Sequence, residues 1–223
     1  MKVNRVLIIG LITGFFLFLL NTCEAVLIEG YATGDNIFWV WSYDGSGGWN
    51  SGRWYPSGGW NDWTTSHYIY GDTTMGEVKD LYVAVKDIGL AAGFLADIKT
   101  SSGYFQETGT NKLLTDISHW EIIGHSGWTE DPTFDPTTLS GWTTPTSYGT
   151  NESNLHWMAS SPIANIDNSA QWIWTNGNGK EEDYAVLHTR FTVIPEIGTM
   201  ILLGSLVVGL FGVFGIRRKF SRR

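Results

Sequence analysis

Cysteine is almost missing. Cys23 is the one thiol in 223 residues, and it sits at the end of an N-terminal apolar stretch. A disulfide framework is therefore excluded for the body of the chain, and so is thiol chemistry. Proline is scarce, at 6 residues, and charge is low, at 16%. Basic residues are scarcer still once the ends are set aside. Between residues 26 and 193 there are 20 acidic and 7 basic residues, a net of −13. A body this acidic repels nucleic acid and anionic lipid heads; a neutral ligand or a cation suits it better. No HExxH or His-x-His pair connects His67, His119, His125, His156 and His188, so zinc is not expected. No Gly-x-Ser-x-Gly elbow and no glycine-rich phosphate loop occurs either. A glycosidase needs two facing carboxylates, and spacing alone pairs no two of these acids. No sustained helical period occurs in the body.

Both ends are apolar. Lys2 and Arg5 precede an uncharged apolar stretch at 6–20, and Thr22-Cys23-Glu24-Ala25 follows. This is the pattern of a secretory signal peptide over 1–25, cleaved after Ala25. A lipoprotein signal is disfavoured, because Asn21 and Thr22 do not make the small-residue box it needs before Cys23. At the other end, 197–216 is 20 residues without a charge. As a helix at ~1.5 Å per residue it spans the hydrocarbon of a bilayer. Arg217, Arg218 and Lys219 behind it belong on the cytoplasmic side. The expectation is a domain at 26–193 held outside the cytoplasm, then membrane-anchored, at the cell surface or extracellular.

The body carries all 12 tryptophans and short apolar runs separated by Gly, Asn, Asp, Ser and Thr. That pattern predicts an all-β antiparallel sandwich. Strands are predicted at 37–41, 67–70, 81–85, 93–98, 120–123, 171–175 and 184–193. A turn is predicted at 43–45, another at 87–89, and a hairpin around 101–103 within 99–110. Residues 129–150, rich in Thr, Ser and Pro, predict a long surface loop. In 184–193 the period of two places Ala185, Leu187, Phe191 and Val193 on one face, and His188 and Arg190 on the other. Asn151-Glu152-Ser153 matches a glycosylation sequon but reads as loop polarity.

Two resemblances add to this. Pro195-Glu196, the apolar segment and the terminal arginines resemble the PEP-CTERM sorting signal of Gram-negative bacteria, over 194–223. Ile197 stands where that family usually has a second proline. The resemblance implies export, handling by an exosortase, and cutting near Pro195 and Glu196. A plain membrane anchor is the alternative. In the body, 35–45 (DNIFWVWSYDG), 81–98 (LYVAVKDIGLAAGFLADI) and AQWIW with the strand 184–191 resemble the galactose-binding-like jelly roll. Asp44 replaces the usual Asn before Gly45. This likeness implies a jelly-roll-like sandwich, a sugar ligand, and room for a calcium ion among Asp80, Asp87 and the 181–183 acids. No other cofactor is expected.

The composition points to one loop for binding. Trp49, Trp54, Tyr55, Trp60 and Trp63 lie among glycines, and flat rings suit the C–H faces of sugars. Asp35, Asn36, Asp44 and Asp62 are the candidate partners for hydroxyls, although the same residues also serve turns. The same tryptophans can instead cap one end of the sandwich, and Trp172 and Trp174 read as core. The function expected is a non-catalytic surface or matrix protein associated with extracellular polysaccharide. The alternatives are a secreted glycan-active hydrolase and a purely structural surface component. The partners expected are the secretion machinery, the exosortase and the membrane, and no nucleic acid.

Overall fold

The computed structural model describes residues 25–35, 37–44, 63–87, 92–124, 135–153, 162–176 and 184–196. The expected signal peptide at 1–25, apart from Ala25, and the apolar segment 197–216 lie outside the described residues. Among the described residues, no helix is long and apolar enough to cross a membrane. The fold is all-β and every strand pair is antiparallel. Among the described residues, eleven strands form two sheets.

The first sheet runs β3 (His67–Thr74), β1 (Ala25–Gly34), β5 (Phe94–Thr100), β10 (Gln171–Trp174), β9 (Thr146–Thr150), with β7 (Lys112–Leu114) also on β5. The second runs β2 (Ile37–Asp44), β4 (Val78–Lys86), β11 (Tyr184–Ile194), β6 (Tyr104–Phe105), with β8 (Glu121–Gly124) also on β11. The main core lies between the sheets. Ile28, Ile69, Phe94 and Ile98 face Val40, Leu81, Val83, Val85, Leu187 and Phe191 across it. Phe105 meets Phe191 edge-on at 5.3 Å, interplanar 88°, the geometry that aromatic quadrupoles favour.

β11 bears out the predicted alternation. Ala185, Leu187, Phe191 and Val193 are buried in the core, while His188 is half-buried and Arg190 exposed. Trp174 is in the main core, as read from the sequence. Trp172 is equally buried but points to the outer face of the first sheet, because a register shift between Gln171 and Ile173 separates the two.

Three expectations need correction. Residues 99–110 do not form a hairpin. β5 pairs with β1, β7 and β10, whereas β6 pairs with β11, so the chain crosses between sheets at 101–103. Gly103 allows the crossing. Its φ is +72°, and a Cβ there would run into the Ile194 carbonyl. Second, Tyr43 and Asp44 continue β2 opposite Asp80 and Lys79 instead of turning. Third, the loop expected over 129–150 ends in β9, which pairs with β10. β1 itself was not predicted, and residues 88 and 89 of the expected turn lie outside the described residues.

Asn151 is not loop polarity. It is 2% exposed, and its side-chain amide donates to the carbonyls of Ile163 and Ile166 while accepting from Ile163 N–H. A buried amide this fully used is no glycosylation acceptor. It ties 162–170 onto the outer face of the first sheet, where Ile163, Ile166 and Ala170 pack on Leu95 and Trp172. Asn151→Ala should therefore leave three backbone groups unpaired and cost about 2–3 kcal/mol, read as a lowered urea midpoint, with the circular dichroism of the folded state retained.

Candidate functional site

The outer face of the second sheet carries the site. Its rows follow from register. Trp41, Tyr82, His188 and Glu121 stand side by side on β2, β4, β11 and β8. One row along, Asp80 of β4 stands opposite Arg190 of β11. One row the other way, Trp39, Ala84, Val186 and Ile123 make an apolar strip.

A loop covers the apolar half. Ile122 and Thr143 exchange both backbone hydrogen bonds, at 2.8 and 2.9 Å. Before that bridge, Asp135 accepts from Thr137 N–H and starts a short 3-10 turn at Pro136–Thr138. The segment between seats Leu139 and Trp142 on Trp41, Tyr82, Ala84 and Val186. Trp142 ends 5.9 Å from Tyr82 and 5.3 Å from His188, centroid to centroid. Tyr82 and His188 stack at 4.6 Å, 23° apart.

The polar half is a charge network. The Asp80 carboxylate accepts from Arg190 Nε at 2.8 Å and Nη2 at 3.2 Å, and lies 2.8 Å from His188 Nε2. His188 Nδ1 lies 3.4 Å from Glu121 Oε2. Burial alone would push the Asp80 carboxyl up, but the His188 and Arg190 hydrogen bonds and charge outweigh it, holding the group below its ordinary value. The same carboxylate keeps the Arg190 guanidinium more firmly protonated. Burial and Asp80 raise the Tyr82 phenol.

A second turn closes the site. Asp116 accepts from the N–H groups of Ser118 and His119, each at 2.7 Å, and bonds the His119 ring at 2.7 Å. This turn drops Trp120 into the main core and leaves Ser118 and His119 outside. Thr189 donates to the His119 carbonyl at 2.7 Å, fixing the turn to β11. Between Trp142, Tyr82, His188, Arg190, Glu121 and His119 a groove of about 540 Å³ opens. Aromatic rings make one side, and alternating donors and acceptors make the other.

Few sequence-selected residues take part. Trp63 is half-buried, its carbonyl accepting from Thr33, and it packs with Leu95 and Trp172 on the opposite sheet. Trp49, Trp54, Tyr55, Trp60, Asn36 and Asp62 lie outside the described residues, as do Arg217, Arg218 and Lys219. Asp44 is placed only by its backbone in β2. Pro195 is half-buried and Glu196 exposed, just past β11. Asp35 is 4% exposed at the β1–β2 corner and does not line the groove. Burial, then the charge of Asp87, raises its carboxyl to about 7. For calcium, Asp80 and Asp87 stand at opposite ends of β4 and do not converge, and Asp80 is committed to His188 and Arg190; 181–183 lie outside the described residues. Among the described residues, no three His, Cys, Asp or Glu side chains are grouped to hold a metal. The groove itself was missed. The one signal was His188 and Arg190 sharing a face; Asp80 and Arg190 are 110 residues apart.

Compared with known proteins, the chain matches no family model, no curated protein and no solved structure.

Two pH dependences follow. Asp80 has a lowered folded value, so its contribution is present above the unfolded value of ~3.9 and is lost as pH falls through the folded one. Asp80→Asn should cost about 1–2 kcal/mol at pH 7, with the gap closing below pH ~4. Asp35 has the opposite sign. Ionising it in the fold is unfavourable, so wild-type stability falls as pH rises from ~4 through about 7. Asp35→Asn should be about 2 kcal/mol more stable than wild type at pH 8 and equal to it near pH 4. Urea titrations across pH check both.

Proposed function

We propose that this chain is an exported bacterial surface protein whose jelly-roll-like sandwich holds a glycan, without turning it over, in the groove on its second sheet. One observation carries the reading. Two aromatic rings, Tyr82 and Trp142, stand beside a row of donors and acceptors, Arg190, His188 and Glu121, the first two held in place by Asp80. A sugar ring offers an apolar C–H face and a rim of hydroxyls that both donate and accept. Stacking on the rings contributes about 1 kcal/mol per good contact, and charge-assisted hydrogen bonds supply orientation. The residues are held by strand register and by one another, so little side-chain freedom is lost on binding.

Export rests on the two ends of the sequence. β1 starts opposite Thr74, and β11 ends where Gly76 N–H donates to the Val193 carbonyl. Both chain ends therefore leave the sandwich at one end, which suits a domain standing on a membrane or released from it by an exosortase acting near Pro195 and Glu196. The likeness to galactose-binding-like modules points the same way.

The test is a glycan array with the full-length chain purified in detergent. Tyr82→Ala and Trp142→Ala should each weaken a hit by about tenfold or more with folding unchanged, whereas Trp54→Ala and Trp60→Ala leave it intact. The reverse pattern moves the site to the aromatic loop. Hydrolysis of the bound glycan, abolished by changing Glu121, replaces binding with catalysis. For sorting, equal mature masses in cells with and without exosortase leave a plain anchor.

A further inference from the structure

Building on the glycan reading above, we infer that the groove selects a sugar that carries free amines, a cationic hexosamine chain, over neutral or acidic glycans. Carboxylates outnumber fixed cations at the groove. Among the described residues, Arg190 is the one lysine or arginine lining it; its side chain is 63% exposed, but two of its nitrogens are tied to Asp80, which offsets its charge. His188 lies between two carboxylates, Asp80 and Glu121, and the His119 ring is bonded to Asp116. Two carboxylates at the rim keep free lone pairs. Glu121 has a side chain 57% exposed, with its 3.4 Å contact to His188. Glu107 is exposed and accepts from Thr192 N–H through Oε2 at 3.0 Å.

An ammonium group has three donors and no acceptor. Spare carboxylate oxygens beside aromatic faces are what it needs. A uronate would bring a third uncommitted carboxylate to the same rim. A neutral sugar can donate hydroxyls to Glu107 and Glu121 but brings no charge to offset theirs. The net charge of −13 over 26–193 adds a general attraction for cations, so the experiment must separate that from the groove.

Titration calorimetry on the full-length chain in detergent does so with three probes: the hexamer of β-1,4-linked glucosamine, its fully N-acetylated counterpart, and hexagalacturonate. The glucosamine hexamer should bind about fivefold or more tighter than the N-acetylated one, with hexagalacturonate weakest. Glu107→Gln should erode that preference about twofold or more while leaving affinity for the N-acetylated hexamer within about twofold, and Glu121→Gln, whose carboxylate also meets hydroxyls, should weaken the glucosamine hexamer by about twofold or more beyond any loss for the N-acetylated one. Glu152→Gln removes the same charge from an exposed turn after β9, on the other sheet, and should leave the preference intact. Equal binding of the two hexamers overturns the amine inference and leaves the glycan groove standing. A preference that survives both groove substitutions, or that falls equally with Glu152→Gln, assigns it to bulk charge and also overturns it. Failure of all three hexamers to bind removes both.

Discussion

The register between β4 and β11 is the constraint on which the rest depends. β4 is buried along nearly its whole length. Leu81, Val83 and Val85 enter the main core, whereas Tyr82 and Ala84 enter the cluster on the outer face. β11 matches it with Leu187 inward and Val186 outward, and with His188 and Arg190 beside Tyr82 and Asp80. A slip of one residue would exchange the two faces. If β11 slipped, His188 and Arg190 would turn toward the core, and Leu187 and Phe191 would face outward. Core and groove are thus written on the two sides of one ladder, and neither can be moved without the other.

Both sheets are dressed on their outer faces, and Trp39, Trp41, Trp63, Trp142 and Trp172 lie in those outer clusters. On the second sheet, Leu139 and Trp142 cover Trp41 and Val186. On the first, Ile163, Ile166 and Trp63 cover Leu95 and Trp172. Each cover is fastened by polar groups, the Ile122–Thr143 bridge in one case and the Asn151 amide in the other. What the covers leave open differs. On the first sheet the open part carries Tyr68 and Tyr70, stacked 24° apart, with the Tyr68 hydroxyl donating to Glu29, and Lys112 paired with Asp167. On the second, the cover stops at Trp142 and makes the wall of a groove.

Much of this was legible locally. Alternation in 184–193 gave the faces of β11, and the apolar run at 37–41 gave a buried strand. β1 was hidden because its start adjoins the small residues of a cleavage site, so the eye ends a leader there. The crossing at 101–103 looks like a hairpin because Ser-Ser-Gly serves both, and only partner choice distinguishes them. The groove was illegible for a stronger reason. Its residues come from β4, β8, β11 and three loops, and no local spacing records a contact between Asp80 and Arg190. Clustered tryptophans drew the reading to 49–63 because composition is visible in one dimension and convergence is not.

Asp80 and Asp35 show how the same side chain comes to opposite ends. Both are largely withdrawn from water. Asp80 meets an imidazole and a guanidinium, so burial strengthens its attractions and the charge is held. Asp35 has Asp87 for a neighbour and one oxygen with no partner, so burial works against ionisation. The first arrangement fixes His188 and Arg190 at the groove from paired strands. The second places a destabilising charge at a corner that gains nothing from it in the ladder. A fold optimised for stability alone would keep the first and replace the second with an amide or an apolar residue. Its retention is a cost carried at the end of the sandwich farthest from the chain ends, while the groove's own charges are compensated in place.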